Sequence, residues 1–134
     1  MTAVEECYRG KRVRVFRLNR EAVVSRLETL SVRMLEERRE ILEIRLFGSL
    51  VKGNAGPGSD ADVLVVLRDA TKPFVERIPD YSRYLEGAGI GCDVFPYTQS
   101  ELNDLRGPSA EFAQSAWRES RLLASRAADG TKGS

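Results

Sequence analysis

The first strong pattern along the chain is that of an amphipathic helix. Apolar side chains recur at intervals of four, three and four between residues 20 and 39, which predicts a helix over that range. They are Val23, Leu27, Leu30 and Met34. Asn19 stands where a capping side chain is expected, and Glu21 in the first turn is favoured by the helix dipole.

Three apolar segments after this helix predict strands. Ile41–Phe47 is the first, and apolar side chains alternate along one of its faces. These are Leu42, Ile44 and Leu46. The second, residues 60–67, is apolar on both faces in its latter half, which is typical of a central, covered strand. The third, Cys92–Phe95, is expected to end at Pro96.

Helices are expected between and after these strands. Pro73 can begin one in its first turn. Thr98 and Glu101 have the spacing of a capping box, which predicts a short helix after the third strand. A last helix is predicted to be capped by Ser109 and to continue as far as Leu123.

The order of these elements predicts one small domain. Helices alternate with strands, so we expect an α/β (α+β) fold over residues 1–126, with a motif-bearing core at 41–97. Its sheet would be mixed, with three or more strands and flanking helices, and would be covered mostly on one face. Residues 127–134 are expected to form a disordered tail. A length of 134 residues fits a single domain.

Charge and composition exclude several classes of function. The chain carries 21 basic and 20 acidic side chains. We therefore expect no general electrostatic attraction to nucleic acid or to an anionic membrane. It contains no histidine, which removes the commonest general base and the Ser-His-Asp triads. No apolar run approaches the roughly 20 residues of a membrane span. Cys7 and Cys92 are too few for a disulfide scaffold, so we expect free thiols and a cytoplasmic location.

Two aspartates open the predicted central strand. Asp60 and Asp62 point the same way, and their Cα atoms should lie about 6.5–7 Å apart. Carboxylates at that separation can converge on magnesium ions spaced about 3.5–4 Å apart. The alternative is that both are ordinary polar residues at a strand entry, since aspartate is common in turns. Placement on a rigid strand favours the metal site.

A glycine–serine turn follows the first strand. Gly48 lets a phosphate approach the backbone closely, Ser49 adds a hydroxyl donor, and Lys52 would return to the same side on a short helix. The alternative is a plain strand-to-helix turn with a serine cap. Asp93 lies in the short third strand, where an unpaired carboxylate would be costly to bury. A ligand or hydrogen-bonded role is therefore favoured for Asp93.

These residues together resemble a known signature. The pattern looks like the motif of the DNA polymerase beta superfamily of nucleotidyltransferases. It consists of Leu46–Ser49, followed after ten residues by Asp60–Val65. Lys52 after the turn and Ser59 before the aspartates also match that motif. The resemblance covers about residues 41–97, and the small size makes the chain most similar to the minimal nucleotidyltransferases. It implies their palm-like fold.

The resemblance also implies a reaction. A hydroxyl would attack the α-phosphorus of a bound triphosphate, with ATP as the donor, and pyrophosphate would leave. Two Mg²⁺ ions would be held by three carboxylates, Asp60, Asp62 and Asp93. The triphosphate would be bound by Gly48, Ser49, Lys52 and Ser59. Asp93 could also accept the proton of the attacking hydroxyl.

The acceptor of the nucleotide is open on the sequence alone. Minimal nucleotidyltransferases are often paired with a helical HEPN-type partner as antitoxin and toxin, so the resemblance suggests transfer of AMP to such a partner. The alternatives are a small-molecule transferase acting on an antibiotic or sugar, which could be a homo-oligomer, and an antitoxin that acts by contact alone. Phe112, Trp117 and Tyr84 are expected in the core or at an interface, and Trp117 marks the first place to look for a docked partner.

Overall fold

The computed structural model describes residues 4–6, 16–18, 20–52 and 60–126, without the side chains of the first two segments or of residues 49 and 52. In chain order the elements are β1 (Val4–Glu6), β2 (Phe16–Leu18), α1 (Arg20–Glu37), β3 (Ile41–Phe47), α2 (Ser49–Lys52), β4 (Ala61–Leu67), α3 (Phe74–Ser82), a 3-10 helix (Arg83–Ala88), β5 (Cys92–Thr98), α4 (Gln99–Asp104), α5 (Gly107–Glu119) and β6 (Arg121–Ser125). The predicted cap Asn19, Ser59 and the predicted tail at 127–134 lie outside the described residues.

Four strands form a mixed sheet in the order β5-β4-β3-β6. β4 pairs in parallel with β5 and antiparallel with β3, and β3 pairs antiparallel with β6. The central position of β4, predicted from its apolar run, is confirmed, as is the small mixed sheet with flanking helices. β1 and β2 form a separate antiparallel pair.

The main hydrophobic core lies between α1 and one face of the sheet. Val23, Leu27 and Met34 of α1 are fully buried there, as the helical pattern predicted. Val63 and Val65 of β4 meet them from the sheet. Each such side chain contributes roughly 1.5–3 kcal/mol on burial, so these contacts fix β4 against α1. Because side chains alternate along a strand, the even-numbered residues of β4 face the other side.

That second face is covered in part by α4 and α5. Its packed side chains are Phe47, Leu64, Val66, Leu42, Phe95, Tyr97, Leu102 and Ala116. The Phe47 ring lies 5.5 Å from that of Phe95 and 6.3 Å from that of Phe112, measured between centroids. The helices that follow β5 thus cover part of this face, where the sequence predicted cover mostly on the other face alone.

A register shift corrects the prediction for β3. Leu42 does not share a face with Ile44 and Leu46, because the pairing of β3 with β4 shifts between Ile41 and Glu43. Ile41 therefore joins the main core, and Leu42 packs against the second face.

β5 is longer than predicted, since it continues through Pro96 to Thr98. β5 is an edge strand, and the Pro96 carbonyl accepts a hydrogen bond of 2.9 Å from Nη1 of Arg77 instead of one from β4. The nitrogen and carbonyl of one strand residue point to the same edge, so the missing N–H of Pro96 costs no hydrogen bond to β4.

The end of the chain is also corrected. The last helix, α5, begins at Gly107 with Arg106 rather than Ser109 as its N-cap, and it ends at Glu119. Leu123 lies in β6, where it is buried in the main core, and not in a helix. Across the described part of the chain, no helix combines the length and the apolar character that crossing a membrane requires.

The far end of β5 is fixed by one ion pair. The predicted capping box of Thr98 and Glu101 is confirmed. Arg77, which is buried, donates hydrogen bonds of 2.7 and 2.8 Å to the two carboxylate oxygens of Glu101. These bonds lower the pKa of Glu101 to about 2. α3, β5 and α4 are thereby joined at this end of the sheet.

Candidate active site

The three predicted carboxylates lie on neighbouring strands at one end of the sheet. Asp62 of β4 and Asp93 of β5 are directly paired in the parallel register. Asp60 precedes β4, and the amide of Ala61 donates a 2.9 Å hydrogen bond to the carbonyl of Gly91, which holds Asp60 beside the start of β5. Asp62 is half-buried, whereas Asp60 and Asp93 are exposed.

Gly48 meets this site where β3 ends. Phe47 is the register partner of Asp62, so the next residue reaches the Asp62 carboxylate. Gly48 has a φ of 90°, and a Cβ built on it would overlap Oδ2 of Asp62. A residue with a side chain would be strained there and would displace the carboxylate. The structure thus shows a close approach of Gly48 to Asp62, and the approach of a phosphate to Gly48 stays a prediction.

A second glycine lies against Asp60, and the sequence reasoning missed it. A Cβ on Gly91 would lie 2.6 Å from Oδ1 of Asp60, closer than side-chain atoms pack. From the sequence alone, Gly91 is interpreted only as a loop glycine that precedes β5. Its position two residues before Asp93 is the signal that could have indicated a role in the site.

The three carboxylates form an acidic cluster whose charges act on one another. Burial raises the pKa of Asp62, and the charges of Asp93 and Asp60 raise it further. The Cys92 thiol, free as predicted, has its pKa raised to about 11, first by burial and then by the same two charges. In the described part of the chain, none of the three carboxylates forms an ion pair with an arginine or lysine.

The donor chemistry of these carboxylates suits a divalent cation. Within residues 20–52 and 60–126, no three His, Cys, Asp or Glu side chains converge on one point as they stand. Three like charges repel one another, and a cation among them would reverse that repulsion. Carboxylate oxygens are the donors that magnesium prefers. Burial raises the pKa of Asp62 most, and such an ion would offset the smaller increase that comes from the charges of Asp93 and Asp60. The ligand set itself stays a prediction.

The other predicted phosphate-binding groups are only partly described. Ser49 begins α2, but its side chain, that of Lys52 and the whole of Ser59 lie outside the described residues. Their roles stay predictions. One further residue contacts this segment and was missed. Arg20, the first residue of α1, donates hydrogen bonds to two carbonyls of α2.

An apolar cavity of about 320 Å³ opens on the same face of the sheet. Leu64 and Phe95 line it, and each lies two residues beyond one of the paired aspartates, so the cavity occupies the next row of the sheet. Phe112 is 63% exposed and Trp117 is 37% exposed on its outer side. Trp117 also stacks on the Arg45 guanidinium at 4.2 Å. Both aromatic residues lie at the rim and not in the core, and their predicted role at an interface stays a prediction.

Sequence comparison identifies one family. The sequence profile of the nucleotidyltransferase domain matches residues 29–112, which include the second half of α1 and every element from β3 to α4. No curated protein sequence matches the chain.

Solved structures share the fold at low sequence identity. A proposed nucleotidyltransferase from Sulfolobus solfataricus superimposes with a TM-score of 0.57 at 17% identity, covering 80% of this chain and 84% of that one. A toxin–antitoxin complex with AMP-PNP gives a TM-score of 0.55 at 20% identity, with 76% of each chain covered. A mutant of the toxin–antitoxin MntA–HpeT gives 0.53 at 17% identity, with 76% and 75% covered. At these identities the comparison establishes the common fold.

Proposed function

The chain belongs to the nucleotidyltransferase domain family, and on that premise we propose that it transfers AMP from ATP to a hydroxyl group of a partner protein. The observation that carries this proposal is the environment of Asp62. Its carboxylate lies between those of Asp93 and Asp60, against Gly48, with a pKa raised by burial and by its neighbours' charges. Three neighbouring carboxylates repel one another in the free protein, and binding of a cation with a triphosphate would relieve that repulsion.

In this proposal Asp60, Asp62 and Asp93 hold two magnesium ions, which supply neutralising charge to the triphosphate. Gly48 leaves the space that the Asp62 carboxylate needs. The triphosphate is bound by the turn at Gly48 and by Ser49, Lys52 and Ser59.

The reaction is an in-line displacement. The acceptor oxygen forms a bond to the α-phosphorus, the bond to the bridging oxygen breaks, and pyrophosphate leaves. The acceptor proton passes to a carboxylate, for which Asp93 is the candidate because it is exposed beside Asp62. Positioning and charge neutralisation are the protein's contributions, so the absence of histidine is no obstacle.

The apolar cavity supports a protein as the acceptor. A sugar or an aminoglycoside antibiotic presents many hydroxyl or amino groups, which aromatic walls would leave without hydrogen-bond partners. Phe47, Phe95 and Phe112 form such walls next to the carboxylates. An exposed aromatic rim is also typical of a protein interface. Two of the solved structures with this fold are toxin–antitoxin complexes, so we propose a HEPN-type toxin as the partner and an antitoxin role for this chain.

A second candidate is an antitoxin that acts by contact alone. The exposed rim of Phe112 and Trp117 favours it, because that surface needs no catalysis to bind a partner.

One experiment separates the two candidates. The partner is incubated with magnesium and each nucleoside triphosphate, with wild-type protein or with the Asp60→Asn/Asp62→Asn double variant. Intact-mass spectrometry should show the partner gaining one or more AMP groups from ATP with wild-type protein only, while both proteins still bind the partner. Neutralisation by the double variant without any mass gain would instead establish contact as the mechanism.

A further inference from the structure

Arg20 connects the first helix to the segment that follows Gly48. Its Nε donates a 2.6 Å hydrogen bond to the carbonyl of Leu50, and its Nη2 donates one of 3.1 Å to the carbonyl of Val51. The contact spans 30 residues of sequence and joins α1 directly to α2. One guanidinium thus holds two successive carbonyls of a four-residue segment.

That segment depends on outside contacts for its position. Four residues are too few for a helix to be stable alone. One side is anchored by Leu50, whose side chain is fully buried in the main core. The backbone carbonyls of Leu50 and Val51 are held by Arg20. Gly48, whose carbonyl accepts from the amide of Val51 at 3.1 Å, leads directly into this segment and lies against Asp62.

The position of Arg20 at the start of α1 also indicates that its contact with α2 is its main role. A positive charge in the first turn of a helix is disfavoured by the helix dipole, so an arginine as the first residue of α1 weakens that helix. Charge-assisted hydrogen bonds to the two carbonyls offset this cost. The sequence places a cation where α1 does not favour one, and the contact with α2 accounts for it.

We propose that Arg20 is a positioning residue for triphosphate binding. By fixing the carbonyls of Leu50 and Val51, it holds the Gly48 turn against Asp62 in the geometry that receives the phosphates. This inference rests on the proposed function, and it assigns Arg20 no contact with the reacting atoms.

The same helix supplies a matched control. Arg26 is exposed, like Arg20, and its Nε donates a 2.7 Å hydrogen bond to the carbonyl of Gly87. Gly87 belongs to the 3-10 helix, and no predicted site residue lies there. Arg26→Gln therefore removes a similar contact, of one hydrogen bond instead of two, between α1 and a distant backbone carbonyl without touching the Gly48 turn.

The test measures equilibrium binding of two probes in the presence of magnesium: α,β-methylene ATP, which cannot react at its α–β bridge, and inorganic triphosphate. Arg20→Gln should weaken both by about tenfold, since it loses two charge-assisted bonds that hold the turn. Arg26→Gln should bind both like wild type. Arg20→Lys, which keeps the charge and one donor group, should recover part of the affinity. Thermal unfolding of all variants checks that each is folded. If Arg20→Gln does not fold, the affinities of Arg20→Lys are compared with those of wild type instead.

Each outcome decides between the two proposals. Equal affinity of wild-type protein and Arg20→Gln, or an equal loss in Arg26→Gln, overturns the role of Arg20 and leaves the proposed function standing. Wild-type protein that binds neither probe overturns the proposed function, and the inference with it.

Discussion

The close approach of Gly48 to Asp62 makes the variant Gly48→Ala a sharp test of the site. Gly48 has a φ of 90°, and an added Cβ would overlap Oδ2 of Asp62. The overlapping atom is the end of a short side chain, so it can rotate away at little cost in stability, but the carboxylate then leaves its place. A displacement of about 1 Å in a catalytic constellation can cost roughly 100-fold in rate.

The control for backbone strain is Gly107→Ala. Gly107 also has a positive φ, 63°, but nothing lies within 4 Å of its Cβ position. Both variants should lose stability through backbone strain, roughly 1–3 kcal/mol each. Only Gly48→Ala should also lose activity, by about 100-fold.

Two assays separate strain from displacement. Urea unfolding gives the free energy of each variant, and magnesium-dependent pyrophosphate release in the presence of partner and ATP gives the rate. Comparable destabilisation with a rate defect confined to Gly48→Ala is the expected result. Full activity of Gly48→Ala, or an equal rate defect in Gly107→Ala, would refute the assignment of Gly48 to the site.

Three other predictions follow from the same structure. Gly91→Ala should displace Asp60 and slow pyrophosphate release. Its unfolding free energy should change by less than about 0.5 kcal/mol, because the φ of Gly91 is not in the left-handed region. A normal rate of pyrophosphate release would contradict this prediction. Asp62→Asn should raise the melting temperature in EDTA at pH 7, because the raised pKa of Asp62 means that its ionised form opposes folding. The increase should vanish in acid, where Asp62 is protonated. A lower melting temperature of the variant at pH 7 would contradict this prediction. Glu101 has its pKa lowered to about 2, so its bond to Arg77 stabilises the fold above about pH 4.5 and is lost as the pH falls towards 2. Glu101→Gln should therefore cost about 1 kcal/mol in urea unfolding at pH 7 and nothing at pH 2, and equal costs at both would contradict the pairing.

Local patterns predicted those parts of the fold that depend on local rules. The bounds of β3 and the capping box at Thr98 were right because each is set by residues adjacent in sequence. The pairing of Asp62 with Asp93 across β4 and β5 could be expected only through the resemblance.

The misses come from long-range pairing. Leu123 fits a helical spacing, but Ser120 is extended and Leu123 joins β6, which pairs with β3 some 75 residues earlier in the chain. Pro96 was expected to end β5, and only its place at the sheet edge makes it tolerable. Neither fact can be deduced from the neighbouring residues.

The site shows the same division. Asp60, Asp62 and Gly48 carry a sequence signature, whereas Arg20 and Gly91 have only weak local signals, and the structure is needed to show their contacts with α2 and Asp60. Arg20 gave one signal, a cation at the start of a helix, and it could be interpreted only with α2 in place.

Binding of a divalent ion by the three carboxylates is the claim on which this account depends most. The most direct measurement is a Mn²⁺ titration followed by electron paramagnetic resonance, with α,β-methylene ATP present. Wild-type protein should take up two ions per chain, and the Asp60→Asn/Asp62→Asn variant should bind none tightly. Unchanged Mn²⁺ binding in that variant would contradict the account.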